Sequence, residues 1–383
     1  MSRVPERAEV VVVGGGVIGT SSAFHLAEAG IDVLLLEKSE LASGSTSRAA
    51  GGVRAQFSDP LNIALGLRSL EAFARFPERP GAEIDLRQVG YLFLLDREED
   101  VRAFERGVEV QNAHGVPSRF VSLEEAQRMS PLAGLDGVLA ATFSPLDGHA
   151  SPEAVVQGYA AGARRQGATV VTGCAATGID VLDGEIRAVE TDGGRVETAT
   201  VVCAAGAWSP SIAGMVGLDL PVEPVLREIG FTAPAPDLPE QMPLTVDFTS
   251  GLYFHREGPG LLFGMADRGQ AAGFDAPSDP DWLEDVTAVA ERRLPRLLEL
   301  GLAGGWKGYY EVTPDHNALI GEAPGVARFL YATGFSGHGF LQGPAAGEIV
   351  RDLVLGREPF VDVAPLAVER FARDAPRPEH NVI

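Results

Sequence analysis

The sequence predicts an α/β fold: a parallel sheet opened by a βαβ unit, with a second, α+β domain inserted on a mixed or antiparallel sheet. Three runs of residues predict it. Residues 9–13 are β-branched and end in glycines, 17–29 follow with Ile18, Ser22, Leu26 and Ala29 at helical spacing until Gly30, and Val33 to Leu36 is again continuously apolar. Apolar residues every three to four positions make a helix with one buried face, and short runs without alternation suit strands covered on both faces. At 383 residues the chain exceeds the size at which a single core usually stops growing, so two packed domains are expected.

The remaining elements follow in order. From about 86 to 143 the texture changes to a strand-like YLFLL at 91–95, a charged helix around 97–112 and a capped short helix in SLEEAQRMSP at 122–131, which together read as an insertion. Ser151 opens a helix through Arg165, the strand ATVVTG follows, and a DG turn at 183–184 and a GG turn at 193–194 indicate a small meander. TVVCAAGAW at 200–208 returns to the buried-strand texture. Beyond the Pro-rich loops at 233–243, GLYFH, GLLFGM, a helix near 280–299 and GWKGYYEV at 305–312 form a second block. FLYAT then leads through GFSGHGF into a helix at about 344–355. The expected first domain comprises 1–85, 145–215 and 313–375, the second 86–144 and 216–312, and 376–383 is expected to be a flexible tail.

Composition narrows the function classes. Hydrophobic residues are 45% of the chain and charged residues 22%, values of an ordinary globular protein. With 31 Lys and Arg against 53 Asp and Glu, the net charge of −22 repels nucleic-acid backbones and anionic lipid, so neither is expected as a partner. Two cysteines, Cys174 and Cys203, lie outside any CxxC or Cys/His cluster, and no metal site is expected. The start of the chain lacks the apolar stretch of a signal peptide and no 18-residue apolar run follows, which makes the cytoplasm the expected compartment.

The chemistry begins at Gly14-Gly15-Gly16-Val17-Ile18-Gly19, a GxGxxG between a strand and a helix, with Glu37 and Lys38 closing the next strand. Gly14 permits the tight turn, Gly16 admits a pyrophosphate to the helix N-terminus and Gly19 permits close packing of helix on sheet. The Glu37 carboxylate can accept hydrogen bonds from ribose hydroxyls. This is a Rossmann-like dinucleotide site, and the motif alone does not separate FAD from NAD.

Three further segments resemble those of the D-amino-acid oxidase superfamily, especially its sarcosine oxidase, glycine oxidase and sarcosine oxidase β-subunit-like branches: LASGSTSRAAGGVR at 41–54, TVVCAAGAWS at 200–209 and TGFSGHGFLQGPAAGE at 333–348. The resemblance covers nearly the whole chain and implies FAD. It assigns cofactor contacts to Ser45, Thr46, Gly51 and Gly52 in the first segment, and to Ala205, Gly206 and Trp208 in the second. In the third it assigns Gly334, Gly337, His338, Gly339, Phe340 and Leu341, and before the meander Ala176. The third segment also has a physical reading: a glycine-rich loop before a helix N-terminus aims N–H groups at an anion and would stabilise charge on reduced flavin. Positions at which some family members bond FAD covalently are here Gly308 and Arg48, so non-covalent FAD is implied.

For the substrate, the resemblance implies an amine or amino acid. It points to Arg54 as a carboxylate clamp, a role its planar fork suits. It points also to Tyr253 facing the substrate, to His255 two residues on along the same strand face, and to Tyr310 where glycine oxidases carry an arginine. Leu341 replaces a lysine of monomeric sarcosine oxidases, so Tyr309, Tyr310, Phe254 and Leu341 are expected to line the site. His338 is expected to order its loop. The implied activity is FAD-dependent oxidation of the C–N bond of a secondary or N-methyl amino acid, by hydride transfer to flavin N5, to an imine that hydrolyses. Alternatives are a flavoprotein subunit passing electrons to a partner, or a D-amino-acid dehydrogenase. Leu262, standing where sarcosine oxidases place a lysine that speeds oxygen reduction, implies slow reoxidation by air. The electron acceptor, oxygen or a partner, and a homo- or hetero-oligomeric state remain open.

Overall fold

The computed structural model describes residues 4–266, 269–373 and 376–381. Two sheets dominate. The first has six strands in the order Leu319–Glu322, Phe329–Thr333, Val201–Cys203, Val10–Val13, Val33–Leu36, Thr169–Val171, all parallel except the first pair. Successive side chains alternate between two separate cores. Val10, Val12, Val33 and Leu35 meet the helices Val17–Glu28, Pro60–Ala74, Pro152–Arg165 and Gly339–Val354, whereas Val11, Val13, Leu34 and Leu36 meet the meander Ala176–Leu182, Glu185–Thr191, Gly194–Glu197. Cover on both faces is the reason these strands carry no polar alternation.

The second sheet has eight strands, ordered Leu302–Val312, Glu223–Thr232, Gly260–Met265, Leu252–Glu257, Leu244–Asp247, Tyr91–Leu95, Ala140–Ser144, Arg119–Val121; only the pair Leu244–Asp247 and Tyr91–Leu95 is parallel. One face packs Leu92, Leu94, Phe254 and Phe263 against Trp282 and Val286 of the helix Trp282–Arg293. The expected helix near 280–299 is broken by Pro295 into this helix and a 3₁₀ turn, Pro295–Glu299, because proline cannot donate to the preceding turn.

Two expectations are corrected. The last long helix begins at Gly339, not 344, and keeps Pro344 inside it. Its glycines explain both the misreading and the fold: a Cβ on Gly343 would lie 2.6 Å from Val17 Cγ2, and one on Gly347 would strike Ser21, so bare backbone lets this helix cross the first at close range. The tail expected to be flexible is tied down over 376–381. The buried Glu379 carboxylate accepts from Ser58 N (2.9 Å), Ser58 Oγ (2.6 Å), Asp59 N (3.2 Å) and Asn62 Nδ2 (2.9 Å), all at the start of the helix Pro60–Ala74. A carboxylate there satisfies otherwise unpaired donors and meets the favourable end of the helix dipole. Residues 382–383 of that expected tail lie outside the described residues.

The second sheet is locked by Arg293, which is fully buried. Its Nε donates to Asp247 Oδ1 (2.7 Å), Nη2 to Asp96 Oδ2 (2.8 Å) and Nη1 to Asp136 O (2.6 Å), binding the helix to the ends of two strands. Arg293→Met removes one partner of a buried pair and strands Asp247, so unfolding in urea should show a loss of about 3–5 kcal/mol; an unchanged midpoint would contradict this.

Candidate active site

The glycine turn is built where backbones touch. Gly14 sits at φ +117°, and a Cβ on it would collide with Ala204 O; one on Gly19 would collide with Gly14 O. The end of the strand Val10–Val13, the first helix and the end of Val201–Cys203 therefore converge as closely as main chains can. Glu37 closes the turn by accepting from Gly15 N (2.7 Å) and Ser39 N (2.8 Å), and Thr46 Oγ1 accepts from Val17 N (3.2 Å). Lys38 Nζ lies 3.9 Å from the Trp208 ring centre, a cation–π contact.

From this turn a cavity of about 480 Å³ runs between the two sheets, and every residue assigned to a cofactor except Gly19 and Gly334 lines it. Gly19 contributes close packing instead, and Gly334 turns its N–H to Glu311. At the far end Gly337, His338 and the first helical turn from Gly339 enter the cavity wall. The Tyr310 ring fills the space a Cβ on Gly337 would need, and fixes a glycine there.

The opposite wall is formed by the second sheet. Tyr253 and Tyr310 face the cavity, as expected, together with Tyr91, Arg227, Ile229 and Leu244, which sequence reading did not single out. Tyr91 replaces the volume a Cβ on Gly52 would take, a closeness no local pattern in YLFLL announces. Arg54 also lines the cavity, 2% exposed. It donates to Gln56 O, to Asn381 O of the tied-down tail (2.6 Å) and to His338 Nε2 (3.3 Å), with Phe57 stacked below it. The ring of His338, expected to order its loop, meets Arg54.

Three expected site residues are placed elsewhere. His255 shares the strand face of Tyr253 but does not line the cavity; its ring nitrogens approach Ala50 O (3.0 Å) and Arg256 O (2.9 Å), so it braces the 49–52 loop from behind. Two residues along a strand is roughly 6.6 Å, enough to pass the cavity's edge. Leu262 pairs with His255 in the ladder and is buried away from the cavity, and Phe254 points into the core on the other face. The two positions of covalent attachment in relatives prove to be neighbours: Arg48 Cβ occupies the place a Cβ on Gly308 would take.

Comparison with known proteins agrees with this geometry. The family profile DAO, described as FAD dependent oxidoreductase, matches residues 9–353. A mitochondrial dimethylglycine dehydrogenase of Mus musculus is 31% identical over 96% of this chain, and the chain spans only 44% of that relative's length. The crystal structure of L-proline dehydrogenase from P. horikoshii superposes with a TM-score of 0.92 at 34% identity, covering 98% of this chain and 100% of that one. Glycine oxidase from Geobacillus kaustophilus gives a TM-score of 0.85 at 29% identity, with 96% and 99% covered.

Two buried carboxyls beside the cavity are held partly neutral. Burial raises Asp147 to about 6 although Ala55 N (2.9 Å) and Gln56 Nε2 (3.0 Å) donate to it. Burial raises Glu311 to about 7, opposed by donors from Thr333 Oγ1 (3.1 Å) and the Phe335 and Gly334 amides. A carboxyl whose folded pKa lies above its unfolded value stabilises fully below the unfolded value, and that stability is lost as pH rises through the folded one. Between pH 4.5 and 7 Glu311 therefore removes stability, on the order of 3 kcal/mol at about 1.4 kcal/mol per pH unit. Thermal melts from pH 5 to 8 should decline more steeply for the native protein than for Glu311→Gln; parallel curves would rule out this titration.

Proposed function

Because this chain belongs to the DAO family of FAD dependent oxidoreductases, we propose that it oxidises the C–N bond of a secondary or N-methyl amino acid to an imine that water then hydrolyses. One observation carries the reading: a single cavity joins a dinucleotide cradle to a wall of phenols and a buried guanidinium, Arg54, that has no carboxylate partner among the described residues. The residues present fit FAD, since Gly14 and Gly19 leave no room for a side chain where the turn must stay open. In this reading Gly16 and the start of the first helix would hold the pyrophosphate, Glu37 would take ribose hydroxyls, and the helix start at Gly339 would offer its N–H groups to negative charge on the ring. FAD supplies the hydride acceptor, N5.

The protein's share is orientation and electrostatics. Arg54 holds the substrate carboxylate. Burial raises the Tyr253 and Tyr310 phenols above their ordinary range, so both remain neutral donors, and an apolar wall with Ile229 and Leu244 favours the neutral amine over the ammonium. FAD is bound without a covalent link, supported by Gly308 and Arg48 at the attachment positions. The division into a discontinuous FAD domain and a substrate domain is supported by the separate sheets. A cytoplasmic setting is supported by two free buried cysteines, and no helix among the described residues is long and apolar enough to cross a membrane.

A second reading, delivery of electrons to a partner rather than to oxygen, is favoured by the names of similar proteins, a dimethylglycine dehydrogenase and an L-proline dehydrogenase; Leu262 does not bear on it, because it lies away from the cavity. Substrate-reduced protein should then react slowly with air and fast with an artificial acceptor in stopped flow; rapid reoxidation by air would reject it.

Acid precipitation should release the yellow cofactor into the supernatant, and flavin retained on the polypeptide would disprove the non-covalent assignment. Anaerobic addition of N-methyl amino acids should bleach the flavin; a panel of such amines without effect would refute the activity. Arg54→Ala should raise KM for a carboxylate substrate over that for a matched neutral amine by a factor equivalent to about 1.5–3 kcal/mol, the worth of a charged hydrogen bond. Equal losses on both would make Arg54 a structural clasp.

A further inference from the structure

The cavity presents a second guanidinium. On the strand Glu223–Thr232, Arg227 and Ile229 face the cavity, while Glu228 points the other way and pairs with Lys307 (2.9 Å). Directly across the ladder from Arg227 is Gly308, whose missing side chain leaves room for Arg48 Cβ. Its guanidinium lies 5.3 Å from the Tyr310 ring centre, Nη1 donates only to the neighbouring Leu226 O (3.0 Å), and Nε is buried with no hydrogen-bond partner. This chain does not lack acids for its arginines. Arg293 holds Asp247 and Asp96, Arg370 holds Asp315 and Arg351 holds Asp352, yet among the described residues neither Arg54 nor Arg227 has a carboxylate within ion-pair distance.

Arg54 is buried without an ion pair, although Glu379 and Asp147 favour its charge from farther off, and half-buried Arg227 keeps a buried Nε without a partner; donors left so on a cavity wall suit anions from a ligand. They sit at different places in it. Tyr310 feels both charges, whereas Tyr91 feels Arg54 and Tyr253 feels Arg227. A substrate with one carboxylate satisfies one guanidinium and leaves the other bare.

We propose that Arg227 is a second carboxylate-binding group of this site, and that the substrate class is a secondary amine carrying two carboxylates, one on each arm. This rests on the amine-oxidising reading for what happens to the ligand, and on the two arginines for what is bound. Each planar fork accepts one carboxylate in paired hydrogen bonds, and the amine nitrogen lies between them beside Tyr310.

The test separates binding from turnover. Thiodiacetate has two carboxylates about a thioether and no amine to oxidise; (methylthio)acetate has one. Calorimetry on the FAD-loaded protein should show thiodiacetate binding about tenfold tighter or more, the ratio a charged hydrogen bond produces. Arg227→Met should abolish that ratio while leaving (methylthio)acetate unchanged, and Arg227→Lys should keep part of it. Arg227→Gln carries the same expectation as Met and serves if Met does not fold. Equal affinities in the native protein, or equal weakening of both ligands in the variants, would overturn the proposal. So would loss of FAD with the dianion preference intact, which would put Arg227 on the cofactor. Bleaching by N-methyl amino acids without a dianion preference defeats this inference alone; the preference without bleaching by any amine defeats the activity alone.

Discussion

Three backbones meet at Gly14: the turn itself and Gly19 of the helix behind it, neither with space for a side chain, and the carbonyl of Ala204 at the end of the neighbouring strand. The rest of the site depends on that contact. It aims the first helix into the cavity, and Gly343 and Gly347 then dock the helix Gly339–Val354 onto Val17 and Ser21. Two long helices consequently open on one cavity, and each brings unpaired N–H groups and the positive end of its dipole. A cavity so arranged favours negative charge at two separate points before any side chain is counted.

Side chains extend the same field. Against a net charge of −22, the cavity gathers Lys38, Arg48, Arg54 and Arg227 beside the carboxyls of Glu37 and Glu311, and burial keeps Glu311 partly protonated near neutral pH. An acidic protein thus encloses a cationic interior. The bulk charge belongs to the outer surface; the local charge bears on what the cavity holds.

Much of this was legible in the sequence because the relevant constraints are local. GxGxxG with Glu37 after the next strand specifies a turn, and alternation predicts which way Tyr253 points. What escaped reading depends on tertiary approach. Gly339, Gly343 and Gly347 recur every four residues, the spacing of one helix face, but the first two, in a glycine-rich run, read as loop until Val17 is seen against Gly343. The tail reads as polar and proline-rich; the amides of Ser58 and Asp59, with Ser58 Oγ and Asn62 Nδ2, give Glu379 a reason to be buried. His255 was assigned the correct face yet lies past the cavity's rim, since periodicity gives direction and not reach. Arg227 and Tyr91 had no motif at all: Tyr91 takes the place of a side chain on Gly52, and Arg227 is noticed only in the cavity wall it joins.

The order of strands in the first sheet has a consequence for how the chain is made. Val10–Val13 emerges early from the ribosome, but one of its neighbours is Val201–Cys203, and that strand's other neighbour is Phe329–Thr333. Until those distant segments are synthesised, the central strands expose apolar edges, and pairing over such separations is slow because long loops must close first. The flavin cradle, for all that its signature is among the first residues translated, is among the last parts of the molecule to take shape.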